Sequence, residues 1–137
     1  GQRVAALTVT GSYATRRNIE ARFLVAAPED TPAEALVAGV LNGLTAWQMF
    51  HRVAGSAPGE WVLVHGAAGG VGGLLLDLAR MAGVKAIGTA SAGKKAEVEA
   101  KGGVHVDYRA EPVAPRALAL SGGGVVAGWL SLAAEAF

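Results

Sequence analysis

The amino-acid sequence predicts an α/β fold built on a parallel sheet, and three observations carry that prediction. From Glu60 onward, short apolar runs ("WVLVH", "VKAIGTA", "VHVDY", "GVVAGWL") alternate with segments of helical character. Strand–helix–strand order of this kind demands right-handed crossovers and parallel neighbours. Between the first run and its helix lies "HGAAGGVGG", which holds five glycines: Gly66, Gly69, Gly70, Gly72 and Gly73. The composition is that of a chain with a core, since 52% of its 137 residues are hydrophobic and only 17% charged.

At the N-terminus, "RVAALTV" and "ARFLVAAP" predict two strands separated by the polar "GSYATRRNIE". Thr31 is expected to cap a helix, with Pro32 at its first position and Glu34 closing a capping box. Leu44, Trp47, Met49 and Phe50 then predict a largely buried helix that ends near Gly55, followed by a turn at "SAPGE". "WVLVH" opens the alternating part. After it, Val71, Leu74, Leu75, Leu78 and Met81 recur at helical spacing. "VKAIGTA" is the second strand, "GKKAEVEAKGG" a polar-faced helix stopped by glycine, and "VHVDY" the third strand. "PVAPRALALSGG" predicts a further helix whose start is crowded by Pro112 and Pro115, and "GVVAGWL" a fourth strand.

Several function classes are disfavoured at once. A formal net charge of +1 gives no electrostatic ground for nucleic acid or an anionic membrane surface. The absence of cysteine removes disulfides and thiolate metal sites and suits a reducing, cytoplasmic setting. The longest apolar runs are broken by Asn42 and Thr45, by His65 and Asp77, or by Gly122 to Gly124. They fall short of the ~18 residues that a spanning helix needs. The mean hydropathy of +0.37 therefore reflects alanine and glycine, and a soluble protein is expected. His51, His65 and His105 stand singly, so no metal-site spacing exists and packing or surface roles are expected for them.

The glycine cluster falls where a strand hands over to a helix. The first N–H groups of a helix lack intrahelical partners, and the helix dipole favours negative charge there. Glycines let such a loop turn tightly and let a pyrophosphate sit against the main chain. Ala67 to Gly72 reads A-x-G-x-x-G, one residue away from the dinucleotide fingerprint G-x-G-x-x-G. "GTASAGKK" approaches the P-loop pattern of ATP and GTP sites, but Lys95 stands where that pattern needs a hydroxyl. The same segment fits better as the end of the second strand. There an acidic residue ordinarily takes the ribose hydroxyls of NAD, and a basic group accommodates a 2′-phosphate. Ser91, Lys94 and Lys95 precede any carboxylate, the first being Glu97, which favours NADPH over NADH.

The stretch "LNGLTAWQMFHRVAGSAPGEWVLVHGAAGGVGGLLLDLARMAG", with "AIGTAS" and "VDYR" after it, resembles the zinc-free quinone oxidoreductase branch of the medium-chain dehydrogenase/reductases. The similarity runs from about Gly1 to Gly124 and is most specific between Leu41 and Gly72. The resemblance implies a partial Rossmann-like parallel sheet over residues 31–137. It implies that residues 1–30 are a remnant of a GroES-like β domain. Ala68, Gly69, Gly70 and Val71 would meet the cofactor pyrophosphate, and Ser91 and Lys95 the 2′-phosphate. Tyr108 would flank the adenosine phosphate, and Thr45 would lie near the nicotinamide and substrate.

The chemistry implied is hydride transfer from NADPH to a quinone or another activated alkene, with no metal and with a small-molecule substrate. Members of the branch are much longer, and the sequence after Gly124 departs from theirs. A fragment is therefore expected, acting as a homo-oligomer or with the help of missing segments. Enoyl-thioester reduction stays open as the alternative chemistry. A non-catalytic nucleotide-binding module and an inactive truncated paralogue stay open as alternative roles.

Overall fold

The structure is a computed structural model that describes residues 1–125 and the backbone of residues 127–130. The chain forms two compact units, one spanning Gly1–Leu44 and the other beginning at Thr45.

In the first unit, β1 (Val4–Ala5) pairs antiparallel with β2 (Val25–Ala26), Val4 opposite Ala26 and Ala5 opposite Val25. The two predicted strands are thus much shorter than their apolar runs. Ala21–Phe23 form a single tight 3₁₀ turn, and a two-stranded ribbon has little to hold its ends together. The Arg3 guanidinium fastens the ribbon by donating to the carbonyls of Pro28 (3.3 Å) and Glu29 (2.6 Å).

Helix α1 (Ala33–Ala38) begins one residue later than predicted, and Thr31 does not cap it. Pro32, extended at φ −53° and ψ 145°, occupies the cap position, and its carbonyl accepts from the Leu36 N–H. Proline disfavours helical geometry in the residue before it, which leaves the Thr31 hydroxyl outside the first turn. Helical backbone continues as wide i→i+5 turns over Gly39–Gly43, as α2 (Leu44–Gln48), and as wide turns again over Met49–Ala54. It stops as predicted at Gly55, whose φ of 58° is left-handed. Only Ala46 and Phe50 of this stretch are buried, while Leu44 and Trp47 are each 46% exposed. Ala46 and Phe50 are four residues apart and share a face. Within α2, Leu44 and Trp47 lie about 200° and about 100° round the helix from Ala46, off that face.

The second unit holds the alternating elements: β3 (Trp61–His65), α3 (Gly70–Met81), β4 (Lys85–Ala90), α4 (Lys95–Ala100), β5 (Gly103–Asp107), α5 (Val113–Ser121) and β6 (Ala127–Leu130). The four strands form one parallel sheet in the order β5-β4-β3-β6. Of the predicted fourth strand, Val126 lies outside the described residues. Pro112 caps α5 and Pro115 falls in its first turn, where the missing N–H would have had no helical partner anyway.

Helices α3 and α4 cover one face of the sheet, with Val62, Val64, Leu75, Leu76, Val84 and Val98 in a common cluster that Ala46 and Phe50 join. Ile87, Val106 and Ala117 form a smaller cluster on the other face, under α5. The buried face of α3 is Gly72, Leu75, Leu76 and Ala79. Met81, predicted to face the core, is 77% exposed. It lies two residues past Ala79, about 200° further round the helix. Among the described residues, no helix is long and apolar enough to cross a membrane.

Candidate functional site

Strand β3 runs out at His65, and Gly66 turns the chain with a left-handed φ of 64°. The Gly69 N–H closes that turn on the Gly66 carbonyl at 2.9 Å, and the Ala67 N–H donates to the Thr89 carbonyl of β4 at 3.0 Å. Thr89 is buried, and its hydroxyl lies 3.2 Å from Nδ1 of His65, the residue paired with it across the sheet. The glycine loop is therefore stapled to the ends of two strands. Helix α3 starts tightly, with the Gly73 N–H donating to Gly69 at 2.8 Å. The N–H groups of Gly70, Val71 and Gly72 come before that first i→i−4 bond, so helix geometry leaves them without intrahelical acceptors.

The glycines differ in what compels them. A Cβ on Gly72 would lie 2.3 Å from the Gly66 carbonyl oxygen and 2.9 Å from Cα of Ala67, so the chain's own packing requires glycine there. A Cβ on Gly69 would sit 3.2 Å from that same oxygen, which is tight. Gly70 is exposed. The result is a cradle of backbone donors built mostly of glycine and alanine, at the C-terminal ends of the strands. It follows β3, where the sheet order passes from β3 to β6, the switch point at which open α/β sheets bind their ligands. A pyrophosphate fits that donor set.

Ala90 at the end of β4 is paired with Asp107 at the end of β5. Ser91 and Tyr108 therefore leave the sheet side by side. Ser91 is extended, and its carbonyl accepts from the Lys94 N–H at 2.9 Å. Lys94 is ion-paired with Glu97 at 2.6 Å, and Lys95 with Glu99 at 3.8 Å. Tyr108 is 42% exposed, and the Arg109 guanidinium lies 5.5 Å from the centre of its ring. The structure thus brings Ala68 to Val71, Ser91, Lys95 and Tyr108 to one C-terminal edge of the sheet. Thr45 is exposed on α2, and no strand register ties it to this edge.

Sequence reading passed over Arg109 and the Thr89–His65 pair. It also passed over Glu99 and the pairing of Glu97 with Lys94, although their i+4 and i+3 spacing from the lysines was readable. The histidines pack as expected. His105 Nε2 lies 3.1 Å from the Ala90 carbonyl, and His51 lies against the rings of Trp47 and Phe50. Among the described residues, no cluster of His, Asp and Glu is placed to hold a metal ion.

A parallel sheet in this order, with a glycine cradle after its first strand, defines the Rossmann-type class of α/β proteins. No family profile matches the chain. It is 35% identical over 128 residues to a 2-haloacrylate reductase of Burkholderia sp., covering 90% of this chain and 38% of that protein. The structure of Escherichia coli quinone oxidoreductase complexed with NADPH superposes with a TM-score of 0.83 at 32% identity, over 90% of this chain and 39% of that one. The structure of the CurK enoyl reductase does so with a TM-score of 0.68 at 33% identity, over 75% and 32% of the two chains. Over the span it shares with these relatives, the chain belongs to the quinone oxidoreductase branch of the medium-chain dehydrogenase/reductase family. It spans less than two-fifths of their length.

Proposed function

We propose that this chain is the NADPH-holding part of a reductase that transfers hydride to a quinone or another activated alkene. The observation that carries the proposal is the glycine-rich turn between β3 and α3, where the N–H groups of Gly70, Val71 and Gly72 come before the first i→i−4 bond of the helix, from Gly73 to Gly69. The NADPH complex of the Escherichia coli relative supports the choice of cofactor.

Backbone donors from Ala68 to Val71 hold the pyrophosphate, and Ser91 and Lys95 receive the 2′-phosphate. Tyr108 flanks the adenosine phosphate, and Thr45 stands beside the nicotinamide and the substrate. The cofactor supplies the hydride when bound, and the protein's part is to orient the ring and exclude water. Residues 31–137 form the NADPH-binding part. Residues 1–30 are a remnant of a GroES-like domain, packed with the helical turns that follow them up to Leu44. We place the protein in the cytoplasm, as a homo-oligomer acting on a small molecule. The likeness to an enoyl reductase favours an α,β-unsaturated thioester as the second candidate substrate.

Calorimetric titration with NADPH and NADH tests the proposal. NADPH binds more tightly to the chain, and Lys95→Glu erases the difference, with Lys94→Glu acting less. Equal affinity for the two cofactors, or a preference for NADH, refutes the assignment.

A further inference from the structure

The two lysines that follow Ser91 are both spoken for. Lys94 Nζ lies 2.6 Å from Glu97 and Lys95 Nζ lies 3.8 Å from Glu99, each pair within a turn of its own helical segment. A lysine that turns to a phosphate there gives up its glutamate partner, which cancels part of what it gains. Arg109, by contrast, has no carboxylate within ion-pair distance among the described residues. Its guanidinium rests over the Tyr108 ring.

The backbone of Arg109 is well fixed. Its N–H donates to Oδ1 of Asp107 at 2.9 Å, and the Asp107 carbonyl accepts from the N–H groups of Ala110 and Glu111, both at 3.1 Å. Because Ala90 and Asp107 are register partners, this turn leaves the sheet beside Ser91, one strand spacing of roughly 5 Å away. A guanidinium offers a planar fork of donors that matches two phosphate oxygens at once, which an ammonium does not.

From this juxtaposition we infer that Arg109 is a specificity-determining residue for the 2′-phosphate. Among the described residues it is the cation at the β4–β5 corner without a carboxylate partner, and its guanidinium lies over the Tyr108 ring. The inference rests on the proposed reading of this edge as the 2′-phosphate site. Tyr108 and Arg109 then act as a unit, the ring against the adenosine and the guanidinium on its phosphate.

The test compares adenosine 2′,5′-bisphosphate with adenosine 5′-monophosphate, titrated into the full chain by calorimetry. These probes isolate the 2′-phosphate from the rest of the cofactor. The preference for the bisphosphate should fall about tenfold in Arg109→Gln, the size expected when a charge-assisted phosphate contact is lost. Arg109→Lys, which keeps the charge and loses the fork, should recover part of that preference. Binding of the monophosphate should stay unchanged in both variants, which a loss of fold would not allow. The preference in the native chain should also shrink as salt rises, and less steeply in Arg109→Gln. A native chain with no preference for the bisphosphate overturns this inference together with the cofactor assignment. A native preference that survives Arg109→Gln intact overturns the role of Arg109 alone.

Discussion

Among the glycines of the loop, Gly72 and Gly69 separate two demands that look identical in sequence. Gly72 has no room for a Cβ against the Gly66 carbonyl, so Gly72→Ala must push α3 off the loop. We expect it to cost about 1–3 kcal/mol of stability, the range for overpacking a filled site, as measured by urea denaturation. Gly69 is extended, at φ −79° and ψ 171°, and a Cβ there needs the Gly66 carbonyl to give by a few tenths of an ångström. Gly69→Val should therefore stay folded and weaken NADPH and NADH alike, since it obstructs the pyrophosphate approach that both share. A folded Gly69→Val chain with native affinities would reduce the loop to a packing device. The cluster itself was legible in the sequence. Which glycine serves the chain and which serves a ligand depends on distances to the Gly66 oxygen, and no pattern of letters carries those. Glu99 is a similar case. Its spacing from Lys95 was readable, but the pairing was not. Glu99→Gln should raise the preference for NADPH a few-fold, because an exposed pair of this kind is worth about 0–1 kcal/mol. Competitive titration at low and high salt checks this.

At the scale of elements, the sheet of the second unit was legible because each strand is a short apolar run bounded by turn residues. Parallel pairing followed from the alternation, whereas the order β5-β4-β3-β6 came from the structure. The helices were harder. Helix α3 carries apolar residues on nearly every side, so helical spacing found Leu75 and the partly buried Val71, Leu74 and Leu78 but also took in the exposed Met81 and missed Leu76 and Ala79. Leu75→Ala should cost about 2–5 kcal/mol, and Met81→Ala less than about 0.5 kcal/mol, in the same denaturation assay. Reversed sensitivities would contradict the packing described. Thr31 illustrates the opposite error, a capping signal that the structure does not use. The hydroxyl sits ahead of Pro32, and Thr31→Ala should leave stability within about 0.5 kcal/mol of the native value. The N-terminal strands misled for a third reason. Their apolar runs exist, but among the described residues β1 and β2 pair with each other alone, and two residues of each form strand.

At the scale of the whole molecule, the first unit leaves much apolar surface in water. Phe23 is 54% exposed, Val25 67% and Val37 76%, and a cavity of about 640 Å³ opens among residues that include Phe23, Val25, Leu36 and Leu44. Surface of this kind invites association. The chain should elute from size-exclusion columns above its monomer mass, and Phe23→Glu should shift it toward the monomer. Hydride transfer also needs reacting atoms ~3–3.5 Å apart in a site closed to water. Thr45, assigned beside the nicotinamide, is exposed, so the chain by itself should oxidise NADPH with a simple quinone only slowly. The central claim, that the glycine cradle and the β4–β5 corner hold one NADPH between them, is tested most directly by amide hydrogen exchange with and without cofactor. NADPH should slow exchange at Gly70, Val71 and Gly72 and across Ser91–Lys95, whereas NADH should slow it at the glycines and leave Ser91–Lys95 unchanged. Saturating NADPH that leaves the amides of Gly70 to Gly72 exchanging at their free rate would contradict the account.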